Sequence, residues 1–268
     1  MTAVVVANEY ASLDSVLDNR RWLRRTKPFT HVIVRDVFTA RTYRRLLAGL
    51  EDVLSSVPGQ GYLERHDIHG ATLTSDRVED FDPLLSRGWH DLLAGVFGVQ
   101  ATGHVLCGIH HHFVGSADGF PHNDLNSGWF ASDPLPGSIE LSAPYHVDYS
   151  TGKRLVESAD PTETVRAVAA IYYLGNPEWS PGDGGSTGLY RRASDAVDRP
   201  LLKVPPRNNS LFAFECTPNS YHGFISNPHH PRNSIIMWLH RPKSDVVARW
   251  GEHAIVPYGL RPKPKPKR

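Results

Sequence analysis

Asn219-Ser220-Tyr221-His222-Gly223-Phe224-Ile225 and, soon after it, Pro231-Arg232-Asn233-Ser234-Ile235-Ile236 are the stretches from which the fold is read. A histidine sits on one apolar segment, and an arginine opens the next. Upstream lies Pro121-His122-Asn123-Asp124-Leu125. Residues i and i+2 of a strand point to one face, so His122 and Asp124 can grip a single ion. With His222 they make two imidazoles and one carboxylate, a set that leaves coordination positions open and suits non-haem Fe(II). Arg232 and Ser234 share a face by the same rule. A guanidinium is the planar, two-pronged partner that a carboxylate favours.

Around these segments the chain changes character once. Before about residue 100 the apolar residues recur at helical spacing. Ser12 to Arg25 reads as a helix stopped by Pro28, and His31 to Asp36 as a strand. Ala40 to about Val53 reads as a helix capped by Thr39, and residues 56–80 as a loop. A further helix starts at Asp82-Pro83 and ends at Gly98. From Gly103 onward, short β-branched and aromatic runs are punctuated by Gly, Pro, Asn and Asp. They fall at 104–114, 119–125, 139–148, 164–174, 186–191, 200–204, 209–215, 220–226 and 232–240, the pattern of a sandwich or barrel. The stretch 126–163 is rich in Pro, Ser and Gly and reads as a long binding loop. The expectation is one domain over 1–260, with a helical part (1–100) bracing a β core (101–245) and a basic Pro/Lys tail at 261–268.

Composition bounds the remaining choices. With 268 residues, 40% hydrophobic and 21% charged, the chain can bury a sizeable core. A net charge of +1 gives no general case for nucleic-acid or membrane partners. No apolar run approaches the ~20 residues that span a bilayer. The apolar run Val4-Val5-Val6 has no basic residue before it and is broken by Glu9, unlike a secretion signal. Two cysteines, Cys107 and Cys216, make no disulfide framework, so a reducing cytoplasm is expected.

The ordered pieces His122-Asn-Asp124, Arg166-Ala-Val-Ala-Ala-Ile-Tyr-Tyr-Leu174, Gly182-Asp-Gly-Gly185, Asn209-Ser-Leu-Phe-Ala-Phe214, His222-Gly-Phe and Arg232-Asn-Ser234 resemble the Fe(II)/2-oxoglutarate-dependent oxygenases, within them the prolyl-4-hydroxylase-like branch. The resemblance spans about residues 104–240. It implies a β-rich α+β fold, a double-stranded β-helix (jelly roll, cupin-like) braced by N-terminal helices. It implies that His122, Asp124 and His222 hold Fe(II), and that Arg232 and Ser234 bind the far carboxylate of 2-oxoglutarate. Tyr172 or Tyr173 would help, and strand alternation admits only one of the two. A second candidate pair, His146-Val147-Asp148, lies in the long segment before residue 165; the first pair is preferred because the preceding strand and glycine turn match the family's approach to the metal.

The implied activity is that of a dioxygenase using Fe(II), 2-oxoglutarate and O2, with ascorbate as a supporting reductant. A carboxylate at 124 stands where related halogenases carry glycine or alanine, so hydroxylation or another oxidation is expected rather than halogenation. His110, His112, Trp129, Phe130 and Asn219 are the candidate substrate contacts, a polar and aromatic mix that suits a small polar molecule such as an amino acid derivative or a natural-product intermediate. A peptide or protein hydroxylase is the alternative, and a non-catalytic metal- or ligand-binding jelly-roll module the rival from another class. No membrane or nucleic-acid partner is expected, and the oligomeric state is open, a homodimer included.

Overall fold

A computed structural model describes residues 13–55, 62–65, 68–141, 147–148, 153–154 and 161–257, with the backbone alone at 62–65, 68–69, 147–148 and 153–154. The helices are α1 (Leu13–Val16), α2 (Ala40–Ser55), α3 (Val78–Phe81), α4 (Arg87–Phe97) and α5 (Lys243–Trp250). The strands are β1 (Arg24–Arg25), β2 (His31–Val34), β3 (Tyr62–Arg65), β4 (Ile68–Thr72), β5 (His104–His112), β6 (Ser127–Phe130), β7 (Glu140–Leu141), β8 (Val147–Asp148), β9 (Lys153–Arg154), β10 (Thr162–Tyr173), β11 (Thr187–Leu189), β12 (Leu202–Val204), β13 (Ser210–Glu215), β14 (His222–Phe224) and β15 (Arg232–Pro242).

A large sheet runs β1-β2-β13-β10-β15-β5-β4-β3, and a small one runs β12-β11-β14. The segment before Asp124 joins the small sheet through an antiparallel bridge, His122 to His222. Chain order and sheet order together make this a double-stranded β-helix. Alternation along β15 sorts its side chains. Ile235, Met237 and Leu239 enter the cluster that includes Leu46, Leu50, Trp89, Leu93 and Phe97 of α2 and α4. Ile236 and Trp238 enter the cluster between the sheets, with Leu189, Val204, Phe212 and Phe214. Arg232 and Ser234 belong to this inner set.

The helices brace the outer face of the large sheet. Ser86 accepts a hydrogen bond from the Trp89 amide (3.1 Å) and starts α4, and Gly98 closes it in the left-handed conformation (φ 65). The α4 helix therefore begins later than Asp82-Pro83. The helix expected over Ser12 to Arg25 is cut to α1. Asn19 accepts from the Arg21 amide and donates to the Arg35 carbonyl. Such local bonds compete with a helix. Trp22 docks edge-on against Trp89 (5.8 Å), and Arg24 and Arg25 pair with β2.

Two expected loops hold strands. Within 56–80, β3 and β4 extend the sheet beside β5. Within 126–163, β6 pairs with β10 and β7 with β5. Residues 1–12 and the 261–268 tail lie outside the described residues. Among the described residues no helix is long and apolar enough to cross a membrane.

Candidate metal and cosubstrate site

The site forms where the small sheet meets the strand carrying Arg232. His122 and His222 exchange both backbone bonds, N to O at 2.9 and 2.8 Å. The close approach needs Gly223, where a Cβ would lie 2.9 Å from the Phe120 carbonyl oxygen. One ligand atom from each of His122, Asp124 and His222 falls within 4.8 Å of the others. The His122 Nε2 is 3.6 Å from Asp124 Oδ1, and the His222 Nε2 is 3.7 Å from Oδ2.

Each imidazole has its other nitrogen beside a backbone carbonyl: His122 Nδ1 by Phe120 O (2.8 Å) and His222 Nδ1 by Ser220 O (3.2 Å). Donation there places the proton on Nδ1 and leaves the Nε2 lone pair for the shared space. Asp124 is buried and accepts from Trp238 Nε1 at 2.6 Å. Burial alone would raise its carboxyl pKa. The charges of His222, Arg166 and His122 and the Trp238 bond outweigh burial and hold it below the usual carboxylate range. Two imidazoles with Nε2 turned to the shared space and an ionised carboxylate fit a divalent ion.

Arg232 is 3% exposed, yet no carboxylate lies within ion-pair distance of it among the described residues. Its Nη2 donates to Thr187 Oγ1 (3.2 Å), its Nε has no partner, and the fully buried Ser234 hydroxyl also has none. The Tyr173 ring lies 5.2 Å from the guanidinium carbon, and its hydroxyl bonds Thr187 at 2.7 Å. A buried cation with unused donors fits the far carboxylate of a dianionic cosubstrate.

The two tyrosines separate as alternation requires. Tyr173 faces this pocket. Tyr172 faces the other way, against Phe38, with its hydroxyl donating to Asn209 (2.9 Å), so it is no cosubstrate contact. His110 and His112 line up opposite Ser234 and Arg232 on β5. Burial pulls His110 down to about 4, and Arg232 and Arg166 add to it. The ring of His112 stacks on Phe224 at 4.0 Å.

One of the expected substrate contacts, Phe130, is enclosed by the fold. Phe130 is buried between His104 (4.5 Å) and His240 (5.0 Å) and fills the core at the end of β5. Asn219 is exposed on the turn held by Thr217 and Ser220. Trp129 sits on β6 opposite Glu163.

Arg166, Trp238 and Thr187 are site residues that motif reading passed over. The Arg166 guanidinium lies 3.9 Å over the Trp238 ring, with Nη1 3.7 Å from Asp124 Oδ1. Position parity with Arg232 and Ser234 was the available signal for Trp238.

The 2OG-Fe(II) oxygenase superfamily model matches residues 145–240. Over that segment, about a third of the chain, the protein is similar to the 2-oxoglutarate–Fe(II) oxygenase superfamily. Fe(II), 2-oxoglutarate and O2 are the cofactors that this similarity implies, and the residues above fit the first two. The match begins after His122 and Asp124 and takes in His146-Val147-Asp148. His146 lies outside the described residues, and Asp148 is described in β8 by its backbone alone.

The chain is also similar to a prolyl 3-hydroxylase, OGFOD1, of Xenopus laevis, 40% identical over 78 residues. That match covers 28% of this chain and 15% of the relative's length. Among solved structures, a Pseudomonas putida prolyl-4-hydroxylase superposes with a TM-score of 0.51 at 17% identity, covering 79% of this chain and 92% of that one. A prolyl hydroxylase from Trichoplax adhaerens, solved with a hypoxia-inducible-factor peptide, gives 0.52 at 17% identity over 82% and 86%. These two likenesses extend the shared fold over most of the chain.

Proposed function

We propose that this oxygenase hydroxylates a residue, in the first instance proline, within a peptide or protein. Residues 1–260 would act as one catalytic unit. His122, Asp124 and His222 would hold Fe(II). Arg232, with Ser234, Thr187 and Tyr173, would hold the far carboxylate of 2-oxoglutarate. The observation that carries the cosubstrate assignment is Arg232, buried with spare donors and, among the described residues, no acid beside it. The substrate class rests on the curated Xenopus relative, a prolyl hydroxylase. It is supported over the small polar molecule expected from the sequence because Phe130, an expected contact for that molecule, lies in the core.

When bound, iron, 2-oxoglutarate and O2 supply oxidation of a C–H bond to an alcohol, with succinate and carbon dioxide as co-products. The protein's part is placement. The Nδ1 bonds of His122 and His222 fix which nitrogen faces the metal. Trp238 fixes the Asp124 carboxylate. Arg232 and its hydroxyl neighbours orient the cosubstrate by a charged, directional contact. The Arg166 and Trp238 pair offers a donor beside a flat apolar face, a combination suited to an amide carbonyl and a pyrrolidine ring.

The test is succinate release with Fe(II), 2-oxoglutarate and ascorbate, using proline-containing peptides and free amino acids as separate arms. Peptide-dependent succinate and a peptide heavier by one oxygen are expected. Turnover with free amino acids alone would overturn the substrate class, and no succinate in any arm would overturn the oxygenase activity.

A further inference from the structure

Charge is unevenly distributed in this nearly neutral chain. Residues 20–45 hold nine of its 29 basic residues and one of its 28 acidic ones, Asp36, so the rest of the chain carries seven net negative charges. All nine cations are exposed: Arg20, Arg21, Arg24, Arg25, Lys27, Arg35, Arg41, Arg44 and Arg45. Arg20 pairs with Asp14 and Arg45 with Asp82, and Arg24 donates to the Val96 carbonyl. The other six form no ion pair among the described residues.

The fold gathers the six cations of residues 20–35 at one border. Among the described residues, β1 is the edge of the large sheet and pairs with β2 alone. Asn19 bonds the Asp36 and Arg35 backbones, bringing Arg20 and Arg21 beside Arg35. The α2 helix follows from residue 40. The border lies four strands from β15, or roughly 19 Å at ~4.8 Å per strand.

Protection of a sheet edge against pairing explains charge on β1. It does not explain why the charge continues onto α2. There Arg41, Arg44 and Arg45 occupy the N-terminal half, and Glu51 and Asp52 lie near the C-terminal end. That order opposes the helix dipole and costs stability. Eight of the nine cations are arginine, whose fork matches phosphate oxygens two at a time. The only large exposed apolar side chain among residues 20–45 is Leu23, too little for a membrane anchor.

We propose that the border formed by β1, the end of β2 and the exposed face of α2 binds the phosphodiester backbone of nucleic acid, apart from the oxygenase site. This binding does not rest on the peptide-substrate reading.

Fluorescence anisotropy of a labelled single-stranded RNA of mixed sequence, with the same DNA sequence in parallel, tests the surface on the full chain. Binding is expected to weaken by about 10³-fold between roughly 50 and 200 mM salt. The variant Arg21→Glu/Arg25→Glu/Arg41→Glu should bind at least ~10-fold less tightly at fixed salt. The control Arg191→Glu/Arg192→Glu/Arg199→Glu, with the same charge change on exposed arginines elsewhere, should bind as the wild type does. Glutamine replacements at 21, 25 and 41 give the same reading should the reversals impair folding. No wild-type binding, equal loss in both triple variants, or capture by anionic lipid vesicles without nucleic-acid binding would each overturn the proposal. Succinate release from a free peptide should be unchanged in the 21/25/41 variant, so failure of this surface is distinguishable from failure of the oxygenase reading.

Discussion

Two arginines on β15 are almost equally buried, and only one is satisfied within the protein. Arg241, 2% exposed, is bound by Glu215 at 3.2 Å, donates to the Ala167 and Cys216 carbonyls, and packs over Trp250. Arg232, 3% exposed, has a threonine hydroxyl and two aromatic rings. Burying a charge is costly unless partners replace water. Arg241 has its partners in the fold and fastens α5 to the sheet. Arg232 lacks an anionic one among the described residues, which fits a complement supplied by a bound anion. A buried cation thus reads as scaffold or as receptor according to what already touches it.

Exchanging the two positions should give opposite outcomes, which is the sharpest way to break the comparison. Arg241→Ala leaves Glu215 with the half-exposed Arg249 alone. It should lower unfolding stability by about 3 kcal/mol and leave 2-oxoglutarate affinity unchanged, because breaking a buried pair strands its partner. Arg232→Ala should weaken 2-oxoglutarate binding by ~100-fold or more while stability holds or rises, since charge-assisted bidentate bonds are lost and a buried charge is removed. Chemical denaturation and calorimetric 2-oxoglutarate titration of both variants read the two effects.

A smaller effect is expected one step from the metal. Trp238→Phe keeps a ring beside Arg166 and deletes the bond to Asp124. Loss of such a supporting bond should weaken Mn(II) or Fe(II) binding by ~10-fold. Unchanged metal affinity would show that Asp124 is held by its other neighbours.

The smallest effect is a slope with pH. Burial lowers the pKa of His31, His90, His104 and His240. A histidine depressed in the folded state binds its proton more readily when unfolded. Its stability contribution is therefore complete above pH ~6.5 and is lost as pH falls toward the folded value. The urea midpoint should fall between pH 7 and pH 5, and His240→Gln should flatten that fall by one histidine's share, up to about 1.4 kcal/mol per pH unit.

Much of the catalytic core was legible in the sequence because it depends on period-two strands and residue spacing. Arg232, Ser234, Ile236 and Trp238 share a face by counting alone. Alternation limited the tyrosines to one and could not choose; the choice came from Phe38 and Asn209 packing behind Tyr172. Ser12 to Arg25 looked helical because propensity is local, whereas Trp22 docks on Trp89, far along the chain. The sequence of β3 and β4 carries a loop pattern, and these segments become strands only beside β5. Phe130 looked like a substrate contact because no local pattern shows that His104 and His240 enclose it.

The central claim is that the His-x-Asp motif bridged to His222 is the one that holds the metal. Calorimetric titration of Mn(II), or of Fe(II) under nitrogen, into Asp124→Ala and Asp148→Ala tests it most directly. Asp124→Ala should lose ~100-fold or more in metal affinity, as removal of a charged ligand demands, and Asp148→Ala should bind as the wild type does. Intact binding in Asp124→Ala with loss in Asp148→Ala would contradict the account.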